Sequence, residues 1–293
     1  MYKFNSNCGF VCHDAGAANI LISALLHSGE EVSMVSMEGP AKKIWKAAFP
    51  NISCDVNLQY IVKNCEHLFT GSGWSSDLEF NAISMANETK LMCSTVMDHW
   101  VNYQERLCRN GRTVYPNNIL VTDEEAFALA KDIFPDKKII LFENLYLRGE
   151  LNKIASAPLP ANTQILFVNE PIRNKWGRDT PGEFQVLDYF LSTLDEYKIS
   201  NDIPIVLRPH PSEYPKKYDR FINSSNREIS LSQNIDIATD ISQSTMVVGC
   251  NSYGLVIALI SGKKVYSALP PWAPPSCLPQ RGILPLSSIR NTI

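Results

Sequence analysis

The chain has 293 residues, 45% of them hydrophobic and 19% charged, an ordinary composition for a globular protein of one large or two medium domains. A formal net charge of −3 gives no electrostatic support for a nucleic-acid partner. No apolar run approaches the roughly 20 residues of a membrane-spanning helix, and the N-terminus lacks the pattern of a signal peptide. We therefore expect a cytoplasmic protein without a transmembrane segment.

The eight cysteines predict reduced thiols, because a chain of this length does not need a disulfide scaffold. None forms a Cys-x-x-Cys pair, and Cys93 and Cys250 fall in apolar, strand-like runs where cysteine acts as a small hydrophobic residue. The same spacing argues against a zinc site, so no metal ligand is predicted.

Strand-like and helix-like segments alternate along the first half of the chain. The predicted strands are 8–12, 31–37, 66–70, 91–97, 118–122 and 138–142, and the predicted helices are 19–27, 39–49, 77–89 and 126–134. Ser76 and Asp77 offer capping oxygens at the start of one helix, where we expect Glu79 to be exposed. Repeated βα units imply a parallel sheet with helices on both faces.

The pattern breaks at 150–163, where two prolines and several small residues predict a linker. A second series follows, with strands at 164–168, 203–207, 246–249 and 264–266 and helices at 181–197, 235–242 and 255–261. The stretch before residue 229 is polar and predicts an insertion. We therefore predict an α/β protein of two domains, 1–155 and 156–293, with a cleft between them.

Polar groups in the second domain follow the predicted strands. His210 lies between two prolines in the sequence IVLRPHPSE, which holds it at the carboxyl end of a strand, where open α/β sheets bind ligands. Asn251 and Ser252 directly precede a helix, whose first N–H groups suit a phosphate. Ser252 taken alone is better explained as an ordinary helix cap, but its combination with the His-Pro motif, also at a strand end, favours a ligand site.

The segments RPHPSE and TMVVGCNSYGLVIALISGKKVY resemble the donor half of GT-B glycosyltransferases that carry a His-Pro motif and a later serine motif. That group includes bacterial sialyltransferases, polysialyltransferases, Kdo-type transferases and teichoic-acid polymerases. The resemblance implies two Rossmann-like domains and a nucleotide-sugar donor, often a cytidine nucleotide. It places His210 on the donor phosphate or leaving group and Ser252 beside it, with Asn251 in place of the usual first serine. The predicted donor-binding set is Asn169, Glu170, Arg208, His210, Glu213, Asn251, Ser252 and Tyr253.

In this fold the first domain, 1–155, carries the acceptor side and the second, 156–293, binds the donor. A base must deprotonate the acceptor hydroxyl, and Asp14, on a glycine turn, is our first candidate, followed by Asp98. Aromatic and polar residues at three strand ends form the predicted acceptor site: His13, Gly71, Ser72, Trp74, His99, Trp100 and Tyr103. Core packing is the alternative for Trp100 and Tyr103.

We therefore predict a metal-independent glycosyltransferase that moves an acidic sugar from a CMP-activated donor to a glycan acceptor in bacterial surface polysaccharide synthesis. Arg208, Arg173 or Lys175 would bind the donor carboxylate. No cofactor is predicted besides the nucleotide sugar, and peripheral association with the inner membrane face is a further expectation. The alternatives are a UDP-sugar or CDP-alditol transferase, a GT-B-like epimerase or pyruvyl transferase, and a non-catalytic nucleotide-binding relative.

Overall fold

The chain divides into two compact units, Met1–Arg148 and Gly149–Ile293. The computed structural model describes residues 4–158, 163–211, 213–214 and 216–291, with the backbone alone at 290 and 291. The division falls inside a helix, Leu145–Ser156, where the sequence predicted the beginning of a linker. Residues 159–162 of that predicted linker lie outside the described residues.

The first unit alternates strands and helices. In chain order it contains β1 (Cys8–Cys12), α1 (Ala15–Ser28), β2 (Met34–Met37), α2 (Gly39–Ala48), α3 (Leu58–Asn64), β3 (His67–Thr70), α4 (Leu78–Thr89), β4 (Met92–Val96), α5 (Tyr103–Arg106), β5 (Cys108–Arg109), β6 (Arg112–Thr113), β7 (Asn118–Val121), α6 (Glu124–Ile133) and β8 (Lys138–Leu141), followed by α7 (Leu145–Ser156). Strands β5 and β6 form a separate antiparallel hairpin.

The main sheet of the first unit is parallel, with the strand order β2-β1-β3-β4-β7-β8. Its strands are short apolar runs, and β1 and β7 are buried along their whole length, as expected when helices cover both faces of a sheet. Phe10 and Phe69 are register partners on β1 and β3, and their rings stack at 5.5 Å between centroids. The strand order reverses between β1 and β3, so this pair marks the switch point of the sheet.

The second unit repeats the pattern. It contains β9 (Ile165–Val168), α8 (Gly182–Glu196), β10 (Ile205–Arg208), α9 (Asp219–Ser224), β11 (Ile229–Leu231), α10 (Ile237–Gln243), β12 (Met246–Gly249), α11 (Tyr253–Ile260), β13 (Lys264–Ser267), β14 (Leu284–Pro285) and a 3₁₀ helix, Leu286–Asn291. The predicted insertion before residue 229 therefore contains a helix and leads into an edge strand.

The sheet of the second unit is also parallel, with the order β11-β10-β9-β12-β13-β14. Counted within the unit, this is the order 3-2-1-4-5-6 of a Rossmann nucleotide-binding fold, and its switch point lies between β9 and β12. Phe167 of β9 packs on Phe190 of α8, with 4.9 Å between ring centroids, in the centre of this unit's own core. The predicted α/β fold class of two Rossmann-like units is therefore confirmed.

None of the helices in the described part of the chain combines the length and the apolar character that crossing a bilayer requires. All eight cysteines lie among the described residues and are free thiols.

Candidate functional site

The switch point of the first unit brings together residues that follow β1 and β3. The Nδ1 atom of His13 lies 2.7 Å from Oδ1 of Asp14, and the hydroxyl of Ser75 donates to the same carboxylate oxygen at 2.8 Å. The side chains of His13 and Asp14 are 18% and 29% exposed, so this pair is accessible to a ligand. The pair therefore places a carboxylate beside an imidazole, an arrangement that suits acid–base chemistry.

The same geometry excludes a serine-hydrolase triad. The Ser75 hydroxyl lies 3.1 Å from Nδ1 of His13, which is the nitrogen that also contacts Asp14. In a triad the carboxylate orients the ring through one nitrogen of the imidazole, and the opposite nitrogen takes the proton of the serine hydroxyl. Here both groups meet one nitrogen, and the arrangement orients the ring instead of activating the hydroxyl.

Glu79 is a buried carboxylate beneath this pair, although the sequence predicted an exposed helix residue. Its side chain lies in the first turn of α4 and accepts a 2.6 Å hydrogen bond from the backbone N–H of His13. The residue is only 1% exposed, and Oε2 has no hydrogen-bond partner among the described residues. Burial raises the pKa of Glu79 to about 7, against the opposing effect of the His13 N–H. The group therefore exchanges a proton near neutral pH.

Asp98, the second candidate base, is engaged in an ion pair. Its Oδ1 lies 2.8 Å from Nη1 of Arg106, and the two side chains are 15% and 10% exposed. Its other oxygen lies against the first turn of α1, since a methyl group on Gly16 would come within 1.8 Å of Oδ2. The glycine thus lets a carboxylate reach the positive end of the helix. Because Arg106 already neutralises Asp98, Asp14 is the better candidate for the base.

Three of the predicted acceptor-binding residues are core residues instead. Trp100 is 7% exposed and donates its indole N–H to Asp123 at 3.0 Å. Tyr103 is 1% exposed and stacks on Phe134. Ser72 is 1% exposed and donates its hydroxyl to the carbonyl of Val96 at 2.9 Å. None of these side chains can pack on a sugar ring, so core packing is the correct interpretation for both aromatic residues.

The other acceptor candidates differ in exposure. Trp74 is 55% exposed in the loop after β3, next to Ser75. Gly71 is buried, and a methyl group there would come within 3.0 Å of Ala17 on α1, so this glycine allows close packing. His99 is half-buried and packs edge-on against Trp100. Trp74 and His13 are therefore the candidates that remain accessible beside Asp14.

The switch point of the second unit is bridged by Glu170. Its Oε1 accepts a 2.6 Å hydrogen bond from the backbone N–H of Asn251, which joins the end of β9 to the loop after β12. The backbone N–H groups of Cys250 and Ser252 also stabilise the carboxylate, but burial dominates and raises the pKa of Glu170 to about 7. The amides that the sequence assigned to a phosphate thus hold a carboxylate of the chain itself.

Of the neighbouring polar groups, Ser252 and Asn251 have local partners. Ser252 is the N-cap of α11 and accepts a 3.2 Å hydrogen bond from the N–H of Gly254, which is the ordinary capping role. The side-chain oxygen of Asn251 accepts from Ser276 and from the backbone N–H of Cys277, both at 3.0 Å. Tyr253 is half-buried as the first residue of α11. Asn169 is 3% exposed, and neither atom of its carboxamide has a partner among the described residues.

His210 is exposed on the loop after β10, and Glu213 anchors that loop. One oxygen of Glu213 accepts from the backbone N–H of His210 at 3.2 Å, and Tyr218 donates its hydroxyl to both carboxylate oxygens at 2.9 and 2.8 Å. Lys217 forms ion pairs with Glu213 and with the buried Glu183. Glu213 therefore positions the loop, and its predicted contact with a donor stays a prediction. Ser212 of the same motif lies outside the described residues.

Arg208 also has a structural role. Its guanidinium pairs with Asp240, whose side chain is 1% exposed, and donates to the carbonyls of Asn234 and Ile235 at 3.0 and 2.9 Å. These bonds hold the loop between β11 and α10. The predicted contact of Arg208 with a donor stays a prediction. Arg173 and Lys175 are exposed in the loop after β9.

Among the described residues, no group of three or more His, Cys, Asp or Glu side chains could hold a metal ion. The predicted metal independence stays a prediction.

The sequence matches no protein-family model, and a comparison with curated proteins gave no match. Solved structures do resemble it. UDP-GlcNAc 2-epimerase from Methanocaldococcus jannaschii aligns over 90% of this chain and 83% of its own with 12% identity and a TM-score of 0.59, and its complex with UDP-GlcNAc and UDP gives the same values. The UDP complex of S. aureus MnaA aligns over 89% of this chain and 78% of its own with 11% identity and a TM-score of 0.61. These neighbours have GT-B-type folds, which confirms the predicted fold class.

Proposed function

We propose that this chain is an enzyme that acts on a nucleotide sugar, with a UDP-activated sugar as its substrate. The observation that carries the proposal is the switch point of the second unit, where the loops after β9, β10 and β12 bring Glu170, Asn251 and His210 to the carboxyl edge of a Rossmann sheet. Ligands of open α/β sheets bind at this position. The N–H groups at the start of α11 suit the phosphates of the nucleotide.

Two observations favour a uridine nucleotide over the predicted CMP-activated acidic sugar. The neighbours with TM-scores of 0.59 to 0.61 include structures that contain UDP or UDP-GlcNAc. In addition, Arg208, the cation nearest to the His-Pro motif, is already paired with Asp240. A CMP donor is the second candidate, because the exposed Arg173 and Lys175 could bind a sugar carboxylate.

The first unit contains groups that are suited to acid–base chemistry. Transfer to an acceptor needs one base, which the Asp14 carboxylate provides while His13 and Ser75 hold it in place. Epimerisation at a sugar carbon needs a proton removed from one face and returned to the other, and therefore at least two groups. The accessible pair of His13 and Asp14 offers an imidazole and a carboxylate side by side, which makes epimerisation a reaction to test beside transfer.

Nucleotide preference can be tested by thermal unfolding with UDP, CMP, CDP and GDP. A ligand at 100 times its dissociation constant stabilises the folded state by about 2.7 kcal/mol. We expect UDP to raise the melting temperature most. A larger effect of CMP would instead favour the CMP-activated acidic sugar that the sequence predicted. The lack of any response would contradict a nucleotide-sugar enzyme.

The reaction can be read by NMR of UDP-GlcNAc incubated with the protein. New sugar signals with the nucleotide still attached indicate epimerisation, whereas release of UDP that depends on an added glycan indicates transfer. We expect the His210→Ala variant to keep its fold and to lose the reaction.

A further inference from the structure

Glu170 occupies the position that a ligand phosphate would need. Its carboxylate takes the Asn251 N–H at 2.6 Å and is also stabilised by the N–H groups of Cys250 and Ser252. These three amides directly precede α11, whose eight residues begin at Tyr253. A phosphate at the start of this helix would approach the same donors. Two anions cannot share them, because like charges at contact distance repel strongly in a partly buried site.

In the described part of the chain, no cationic side chain is among the groups that shift the pKa of Glu170. The titratable groups that act on it or respond to it are the thiols of Cys250 and Cys277. Burial raises the pKa of both thiols, so both are neutral at pH 7. Among the described residues, the groups that stabilise the carboxylate are thus backbone N–H groups, for which a phosphate anion can compete.

Asn169 provides a second and independent indication of a ligand at this strand end. It directly precedes Glu170, and its carboxamide is 3% exposed with neither atom partnered among the described residues. A buried donor or acceptor without a partner destabilises the folded state, so a ligand that bonds the carboxamide is favoured. Movement of Glu170 away from the three backbone N–H groups would open the carboxamide of Asn169 to hydroxyl or phosphate groups of a ligand.

We infer that Glu170 is a built-in competitor of the ligand phosphate, and that binding of the phosphate requires the carboxylate to leave the amides or to take up a proton. The inference rests on the proposed function, because it assumes that the ligand is a nucleotide phosphate. It makes nucleotide binding proton-linked: the carboxyl group competes weakly when protonated and strongly when ionised. Glu170 thus sets the pH range in which the second unit accepts its ligand.

The test measures the dissociation constants of UDP and of inorganic pyrophosphate between pH 6 and 9, by calorimetry, for the full chain. The variants are Glu170→Gln, which mimics the protonated group, and Glu170→Ala, which removes the competitor. Glu228→Gln is the matched control, because Glu228 is exposed and lies next to the amino end of β11. Melting temperatures show whether each variant folds, and Glu170→Gln carries the test if the alanine variant does not.

We expect the wild-type affinity for both ligands to fall above pH 7 by up to about tenfold per pH unit. Both Glu170 variants should lose this fall and bind roughly tenfold more tightly than the wild type at pH 8, while Glu228→Gln follows the wild type. Unchanged affinity and pH profile in the Glu170 variants would overturn this inference and leave the proposed function standing. Pyrophosphate binding without UDP binding would support the competition and overturn the proposed function. Binding of neither ligand to any variant would overturn both.

Discussion

The carboxylate of Glu79 accepts a 2.6 Å hydrogen bond from the backbone N–H of His13, and so ties α4 to the loop that carries the candidate base. Asp14 follows His13 and is the N-cap residue of α1, but its side chain does not cap the helix. The Asp14 carboxylate is instead directed to His13 and Ser75. Glu79 therefore has a positioning role, since it holds the loop from below and leaves the accessible carboxylate to the ligand.

The buried Glu79 should make stability depend on pH. Its pKa is about 7 in the folded state and 4.5 ordinarily, so the folded chain retains a proton that the unfolded chain releases. The free energy of unfolding should therefore fall as the pH rises from about 4.5 to 7, by roughly 3 kcal/mol at about 1.4 kcal/mol per pH unit. Glu79→Gln should remove this fall, as measured by urea denaturation between pH 4.5 and 8.

Glu170 contributes a similar pH dependence to the stability of the wild type and of Glu79→Gln. The difference between the two proteins therefore reports on Glu79 alone. Glu31→Gln is the control, because Glu31 is exposed. Parallel pH profiles for wild type and Glu79→Gln would show that the carboxyl group is not protonated in the folded protein at neutral pH.

Tyr218→Phe tests the anchor of the His210 loop. The lost hydroxyl donates to both oxygens of Glu213, and hydrogen bonds to charged groups contribute about 1.5–3 kcal/mol. We expect a loss of stability in that range together with weaker UDP binding, because the loop is less well held. Tyr189→Phe is the matched control, since Tyr189 packs edge-on against Trp272 in the same unit. An unchanged UDP affinity in a folded Tyr218→Phe protein would contradict the positioning role.

The sequence predicted the sheets well because buried parallel strands read as short apolar runs. Strand β12 was predicted at its observed bounds, Met246–Gly249, and β1 likewise. The helix α7 was missed because Pro158 and the small residues near it resemble a linker, whereas the prolines follow the helix end. The hairpin at β5 and β6 was missed because its strands have two residues each, although Asn110 and Gly111 adopt the left-handed conformation that an Asn-Gly turn favours.

The candidate site was predicted less well, because polarity at a strand end does not tell whether a side chain faces a ligand or a neighbour. Arg208 and Glu213 were expected to bind the donor. Arg208 pairs with Asp240, 32 residues further along the chain, and Glu213 accepts a hydrogen bond from Tyr218, 5 residues further along. Glu79 has the sequence position of an exposed residue in a first helical turn. Its burial arises from packing under the β1 loop, which depends on the strand order β2-β1-β3.

A double-mutant cycle separates the structural role of Arg208 from a donor role. Arg208→Met leaves the 1% exposed Asp240 as an unpaired buried anion and should cost about 3–5 kcal/mol of unfolding free energy. Asp240→Asn removes the charge but keeps the hydrogen bonds from Ser232 and Asn234. The double variant should therefore lose less stability than the sum of the single variants. Additive losses, with a selective loss of CMP binding in Arg208→Met, would instead return Arg208 to the donor site.

Asp14→Asn should lower the turnover number by a factor of about 10² to 10⁴, the usual contribution of a general base. The variant retains an oxygen that accepts from Ser75, so its melting temperature should stay near that of the wild type. Rates are compared with Asp55→Asn, since Asp55 is an exposed carboxylate paired with Lys42 in the same unit. Wild-type turnover in Asp14→Asn, with a large loss in Asp98→Asn, would transfer the role of the base to Asp98.

Gly16→Ala probes the contact between α1 and Asp98 without changing any charge. A methyl group at this position would lie 1.8 Å from Oδ2 of Asp98, so the carboxylate must move away from the helix and from Arg106. Overpacking of this kind typically costs about 1–3 kcal/mol, and turnover should fall with it if Asp98 helps to shape the site. Gly149→Ala is the control, because a methyl group there meets no atom within 4 Å and replaces a helical glycine. That variant should gain up to about 1 kcal/mol of stability. Equal stabilities for the two alanine variants would show that Asp98 does not lie against the first turn of α1.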